Sequence, residues 1–381
     1  MNPQSMLSNL VAFASVVGTP NGGLIDFIRD FLAGHGVPSV IVGGPEGDRF
    51  NLFATLGPVN VPGYILSAHT DVVPATEPAW KGDPFHLRAI DDRLIGRGAV
   101  DMKGFVAAVL SAVPQLVCMD LERPIHIALS YDEEAGCRGV PHLIEKLPTL
   151  CAPPVGCIVG EPSGLVPVLR HKGKAALRIA AKGLSGHSSR PDLGQNAIHA
   201  LLPTLGAVAR EAERQGQEGP MDAHFAPPYS TLQIGRIAGG EALNIIPDTA
   251  IAEIEARAIA GVDPLELLNP ALRLVENDER LSAQVIASYP GLSMTEDHPL
   301  ARFIEGLSGN APLAAVSYGT EAGLYQQAGI PAIVCGPGDI ARAHKPEEYI
   351  TTAELHGAQT MVLRLGRALS AGKTAFASGR V

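Results

Sequence analysis

The sequence predicts an α/β fold interrupted by an inserted α+β domain. Three observations carry that prediction. Apolar strand-like runs alternate with helix-period segments at both ends of the chain, the texture changes between residues 174 and 288, and short blocks of histidine and carboxylate residues follow the strand-like runs. At 381 residues the chain is also longer than one hydrophobic core normally supports, so two domains are expected.

The N-terminal part opens with helix-period segments at 5–16 and 23–34, followed by strand-like runs at Pro38–Val42, Asn51–Leu56 and Tyr64–Ala68. An apolar helix is predicted at Met102–Val117, a strand at Ile125–Tyr131, a helix at Gly139–Leu147 and a strand at Cys157–Gly160. From Lys174 the expected order is strand Ala175–Ala181, helix Asn196–Gln215, strands Thr231–Ile237 and Ala250–Ala258, helix Pro264–Glu279 and strand Ala283–Ser288. That β-α-β-β-α-β order is ferredoxin-like, so 174–288 reads as a domain inserted between 1–173 and 289–381. Strands near Ala314–Ser317 and Ala332–Cys335 and a helix from Ala353 to about Leu369 complete the first domain, and Ala371–Val381 reads as a frayed tail.

Composition narrows the function. Hydrophobic residues make up 46% and charged residues 18%, a globular balance. A formal net charge of -10 gives no electrostatic footprint for nucleic acid or an anionic membrane, so small molecules are the expected partners. The N-terminus has no basic segment followed by an apolar run, and no stretch of about 18 apolar residues occurs, so a cytoplasmic location is expected. Five scattered cysteines lack zinc-knuckle or redox spacing and read as reduced, buried thiols.

Five blocks carry ligand-type side chains at strand ends: Ser67–Pro74, Gly98–Gly104, Asp132–Glu134, Gly160–Ser163 and Ala343–Glu348. Loops at the carboxyl ends of strands in α/β sheets converge on one crevice. His69 reads either as a satisfied loop histidine or as a ligand whose other ring nitrogen Asp71 fixes. Asp101 reads as a helix N-cap, a role compatible with bridging two cations. Asp132–Glu134 reads as a solvated acidic turn or as a ligand beside a proton acceptor; Glu161 could end a strand, and His344 could lie on the surface.

Together, in this order and with an inserted domain between the fourth and fifth, the blocks resemble the dinuclear-zinc metallopeptidase family that includes acetylornithine deacetylase, succinyl-diaminopimelate desuccinylase and carboxypeptidase G-type enzymes. Tyr318–Gly323, Cys335–Asp339 and Ala343–Tyr349 look most like the acetylornithine deacetylase branch. The resemblance implies a zinc-peptidase-like catalytic domain and an inserted lid and dimerisation domain that forms a homodimer through 174–288. It implies two zinc ions per subunit, with cobalt or manganese as possible substitutes. His69 and Glu161 would hold one ion and Glu134 and His344 the other, with Asp101 bridging, Asp71 orienting His69 and Glu133 as general base for attack by water on an amide.

By the same resemblance, His187 in Ser185–Ser189 would donate to the oxyanion from the partner subunit, against a plainer reading as a turn histidine. Asn244 and Arg257 would contact substrate, Arg257 gripping an α-carboxylate unless it is merely a solvent-facing strand residue. The loop Gly319–Thr320 would adjoin substrate, and Glu321 beside it is expected to pair with a side-chain ammonium. The expected reaction is hydrolysis of N2-acetyl-L-ornithine to L-ornithine and acetate, in arginine biosynthesis. The alternatives are another N-acyl amino acid, such as succinyl-diaminopimelate, or a noncatalytic metal- or ligand-binding relative.

Overall fold

The computed structural model describes residues 1–371, so most of the expected C-terminal tail lies outside the described residues. The described residues divide into two compact units: Met1–Leu169 with Met294–Ala314 and the chain from Thr320 onward, and Arg170–Ser293 with Ala315–Gly319.

The first unit begins with α1 (Pro3–Val11) and α2 (Gly22–Gly34), then β1 (Ser39–Gly43), β2 (Phe50–Leu56), β3 (Tyr64–His69), β4 (Arg88–Ile90) and β5 (Arg93–Ile95). There follow α3 (Lys103–Leu116), β6 (Ile125–Ser130), α4 (Val140–Leu150) and β7 (Gly156–Pro162). The second unit holds β8 (Arg170–His171), β9 (Gly173–Lys182), α5 (Ala197–Glu218), β10 (Thr231–Gly239), β11 (Thr249–Ala258), α6 (Asn269–Glu276), β12 (Leu281–Tyr289) and β13 (Leu292–Ser293). The chain returns to the first unit with α7 (Pro299–Ser308), α8 (Ala322–Gln327), β14 (Ala332–Gly336), β15 (Tyr349–Thr351) and α9 (Thr352–Ala368).

The main sheet of the first unit has the order β1-β2-β6-β3-β7-β14. Strands β6, β3, β7 and β14 run parallel, so their carboxyl ends share one edge. Every position of β6 and β7 is buried, as parallel strands covered on both faces require. Helix α3 is apolar nearly all round because it lies between α1, α9 and the sheet. The ring of Phe105 packs so closely on Gly160 that a Cβ there would strike it, and a Cβ on Gly336 would strike the Gly160 carbonyl. Between Val334 and Gly336 the β14–β7 register slips, an irregularity of the kind that re-aims side chains beside a site.

The second unit is an antiparallel sheet of order β10-β11-β9-β12 with α5 and α6 packed on it. With its β-α-β-β-α-β sequence this is the ferredoxin-like arrangement. Residues alternate between buried and more exposed along β9 and β11, which puts one face of each on the core formed with the helices.

Several local expectations are corrected. Ala314–Ser317 is no strand; bridges at Leu313 and Val316 are isolated. The helix expected at Pro264–Glu279 is a short 3-10 turn followed by the shorter α6. A three-stranded sheet, β15-β5-β4, was not anticipated. All five cysteines are free, but Cys118 is exposed and Cys151 partly so. Among the described residues no helix is long and apolar enough to cross a membrane.

Candidate metal centre

At the shared edge of the first unit, β3 ends in His69, β6 leads through Tyr131 and Asp132 to Glu133 and Glu134, and β7 delivers Glu161. Asp101 comes from the loop before α3, and His344 from the segment between β14 and β15. The ligand atoms of His69, Glu133 and Glu161 lie within 4.8 Å of one another, as do those of His69, Asp101 and Glu134. Asp101 divides its oxygens: Oδ1 is 3.0 Å from His69 Nε2, and Oδ2 is 3.3 Å from His344 Nε2. His344 Nε2 also lies 3.0 Å from Glu134 Oε1, while His69 Nε2 lies 3.7 Å from Glu161 Oε1.

Two sequence expectations change here. Asp101 is not an N-cap: α3 starts at Lys103, Met102 occupies the cap position, and the Asp101 carboxylate faces the two histidines instead. His69 Nδ1 does point at Asp71, but to its backbone carbonyl at 3.0 Å, with the carboxylate at 3.6 Å. The Asp71 carboxylate accepts the backbone N–H groups of Glu133 (3.0 Å) and Glu134 (3.1 Å), so it orients the acidic turn as well as the imidazole. Cys137 adds a contact the sequence did not signal, its thiol donating to Glu133 Oε1 at 3.2 Å.

The electrostatics of this cluster call for positive charge. Burial, then the surrounding carboxylates, push Glu133 up to about 8. Burial likewise raises Glu134, and carries Glu161 well above the carboxylate range. His344 is pushed up to about 10, first by its hydrogen bonds to Asp101 and Glu134. Burial opposes a charge on His69, but hydrogen bonds to Asp101 and Asp71 and the charge of Glu161 lift it well above its ordinary value. Burial would also raise Asp101; the two histidines outweigh it and hold the carboxyl well below its usual range. Crowded carboxylates with imidazole nitrogens and no thiolate are the donor set of a divalent transition ion, so the residues fit a metal centre.

Residues 65–367 match the family described as Peptidase family M20/M25/M40. The chain belongs to this family. Its fold agrees with that of solved peptidase structures across nearly the whole length of both chains. A tripeptidase from Staphylococcus aureus superposes with a TM-score of 0.72 at 20% identity, covering 97% of this chain and 98% of the other. An M20 metallo-carboxypeptidase from Sulfolobus solfataricus gives 0.78 at 17% identity, covering 96% and 99%. A dinuclear metal-binding M20 peptidase from Bacillus subtilis gives 0.60 at 15% identity, covering 96% and 98%. This M20 chain is thus a metal-dependent hydrolase by family, and its candidate ligands are the histidines and carboxylates just described.

The remaining sequence candidates lie elsewhere in the M20 chain. In the second unit, His187 and Asn244 are exposed on adjoining turns, where Ser188 N–H donates to the Asn244 carbonyl and the Ser189 N–H and hydroxyl lie 3.2 and 2.8 Å from His187 Nδ1. Arg257, on β11, donates its Nε to Glu255 Oε1 at 2.7 Å, and Lys174 pairs with the same Glu255. Gly319 ends the second unit with Tyr289 and the Lys172 carbonyl too close for a Cβ. Thr320 is fully buried, its hydroxyl accepting from Ala322 N–H at the start of α8. Glu321 departs from its expected role. It is 1% exposed, and its two carboxylate oxygens accept from the Ser67 and Ser130 hydroxyls at 2.5 and 2.8 Å, so it braces the ends of β3 and β6 and leaves no oxygen facing solvent for a substrate ammonium.

Proposed function

We propose that this chain is an N-acyl-amino-acid amidohydrolase whose substrate is N2-acetyl-L-ornithine, cleaved to L-ornithine and acetate. The division of Asp101 between two histidines, each beside a further carboxylate, is the observation that supports a two-ion site most directly. His69 and Glu161 would hold one ion, Glu134 and His344 the other, and Asp101 both. Two divalent ions there, zinc by family expectation, would supply Lewis acidity to lower the pKa of a water and polarise the acyl carbonyl.

The chain's own groups do the rest. Glu133 takes the proton from the attacking water and returns it to the departing amine, and Asp71 holds its backbone in place for both transfers. The thiol of Cys137 restricts which way the Glu133 carboxylate turns. Arg257, already aligned by Glu255, would grip the substrate carboxylate, with Asn244 and Gly319 as further substrate contacts and His187 as the oxyanion donor, while the buried Thr320 serves the start of α8 instead. Pairing of two copies through 174–288 and a lid role for that segment belong to the same proposal.

The likeness of Tyr318–Gly323 and Ala343–Tyr349 to the acetylornithine branch supports the choice of acyl amino acid. The test is ornithine release from N2-acetyl-L-ornithine by metal-depleted protein, with and without added zinc or cobalt, beside succinyl-diaminopimelate and a dipeptide. Metal-dependent ornithine release is expected, and Glu133→Ala should lower it by about 10²–10⁴-fold while zinc stays bound. Selective cleavage of the succinyl compound or the dipeptide would overturn the substrate assignment, and full activity in Glu133→Ala would overturn the mechanism.

A further inference from the structure

One carboxylate outside the ligand set joins the loops that carry Asp101 and His344. Glu348 Oε1 accepts the backbone N–H groups of Val100 at 3.0 Å and Asp101 at 3.2 Å. Its other oxygen accepts from Arg97 Nη1 at 2.9 Å. Arg97 and Glu348 are each 1% exposed, so this is a buried pair with every contact sheltered from water.

Both ends of the pair are anchored. Arg97 Nη2 donates to the Pro74 carbonyl at 3.1 Å and to Glu77 Oε1 at 2.8 Å, and its guanidinium lies 5.2 Å from the centre of the Trp80 ring. The Glu348 carbonyl accepts from Gly96 N–H at 2.9 Å, and the next residue starts β15, which pairs with β5. His344 and Glu347 both adopt positive φ, 56° and 59°, in a region that L residues occupy only when their surroundings impose it. The His344 loop therefore depends on external anchors, and Glu348 is the one that also grips the backbone of Asp101.

We propose that Glu348, held by Arg97, is a positioning residue that fixes the separation of Asp101 and His344 and so sets the affinity of the metal centre. The inference rests on the metal-centre reading above. Removing a group that orients ligands from behind typically weakens metal binding by about 10–100-fold. Glu348→Gln keeps the side chain's size but presents an amide where one carboxylate oxygen stood. The amide can satisfy either the two backbone N–H groups or Arg97, and not both.

The experiment is zinc binding to metal-depleted protein by chelator competition, with the cobalt(II) visible spectrum as a second readout. Wild type, Glu348→Gln, Glu348→Ala and Glu347→Gln are compared. Glu347 anchors the same loop through Arg88 and Lys81 N–H, groups outside the Asp101 segment, so it controls for general loosening. The expected result is at least one ion bound about 10-fold more weakly and an altered cobalt spectrum in folded Glu348→Gln, with Glu347→Gln like wild type. If Glu348→Ala does not fold, Glu348→Gln decides alone. Wild-type affinity in Glu348→Gln, or the same loss in Glu347→Gln, would overturn the proposal. Wild type that binds no zinc would instead defeat the metal-centre reading.

Discussion

Replacing Glu321 separates two roles for a buried acid that the sequence placed at the substrate. In the structure its carboxylate ties Ser67 on β3 to Ser130 on β6, and Ser67 Oγ lies 2.8 Å from the Tyr325 hydroxyl. Glu321→Ala removes two buried hydrogen bonds, each contributing about 1 kcal/mol. It also leaves a cavity of a few methylene-sized groups, costing about 1 kcal/mol more. The expected loss is thus about 3 kcal/mol, while Glu321→Gln, which keeps one acceptor and the volume, should lose about 1 kcal/mol. Unfolding of the metal-free protein in urea can be followed through Trp80, the chain's single tryptophan, which lies in the first unit. Activity should fall by a common factor for N-acyl amino acids with and without a side-chain ammonium. An unchanged unfolding midpoint, together with a KM that rises only for the ornithine substrate, would refute the bracing role and restore the ammonium contact.

Zinc at 100 times its Kd should stabilise the first unit by about 3 kcal/mol per site, seen as a higher melting temperature that a chelator reverses; no shift would count against resident ions. His126 gives a pH dependence of another kind. It is fully buried in β6 against Phe53, and burial lowers it to about 4. The folded chain keeps this ring neutral where the unfolded chain protonates it, so its contribution is complete above about pH 6.5 and falls as pH drops toward the folded value. Between pH 7 and 5 the metal-free protein should lose about 2 kcal/mol from this group, and urea titrations of His126→Gln should show a correspondingly shallower pH slope.

The parts of the site that were legible in the sequence share one physical cause. Strands buried on both faces are mostly apolar, so Glu133, Glu134 and Glu161 stood out at the carboxyl ends of β6 and β7, although only the family resemblance set them apart from a solvated acidic turn and an ordinary strand-end residue. The ferredoxin-like unit was legible because β9 and β11 alternate and α5 is long. Glu321 was not, because its partners lie 254 and 191 residues away and nothing local distinguishes an inward carboxylate from one at a helix start. The cap reading of Asp101 was wrong while its reading as a bridging ligand stays open, because a carboxylate just before an apolar helix has the same local signature in either role. Glu348 stood in a block read only for its histidine, and the three-residue strands β4, β5 and β15 that bring it beside Arg97 are too short to show a period.

The position of β14 has a consequence for how the protein is made. Its partner β7 is complete at Pro162, yet β14 starts at Ala332, after the whole of the second unit has been synthesised. On the ribosome the ferredoxin-like unit can collapse on its own local contacts, while the first sheet waits with β7 as an open edge. His344 emerges later still. A two-ion site that uses His344 can therefore be completed only late in synthesis, whereas His69, Asp101, Glu134 and Glu161 all precede β14 in the chain, and until β14 arrives β7 lacks its outer partner.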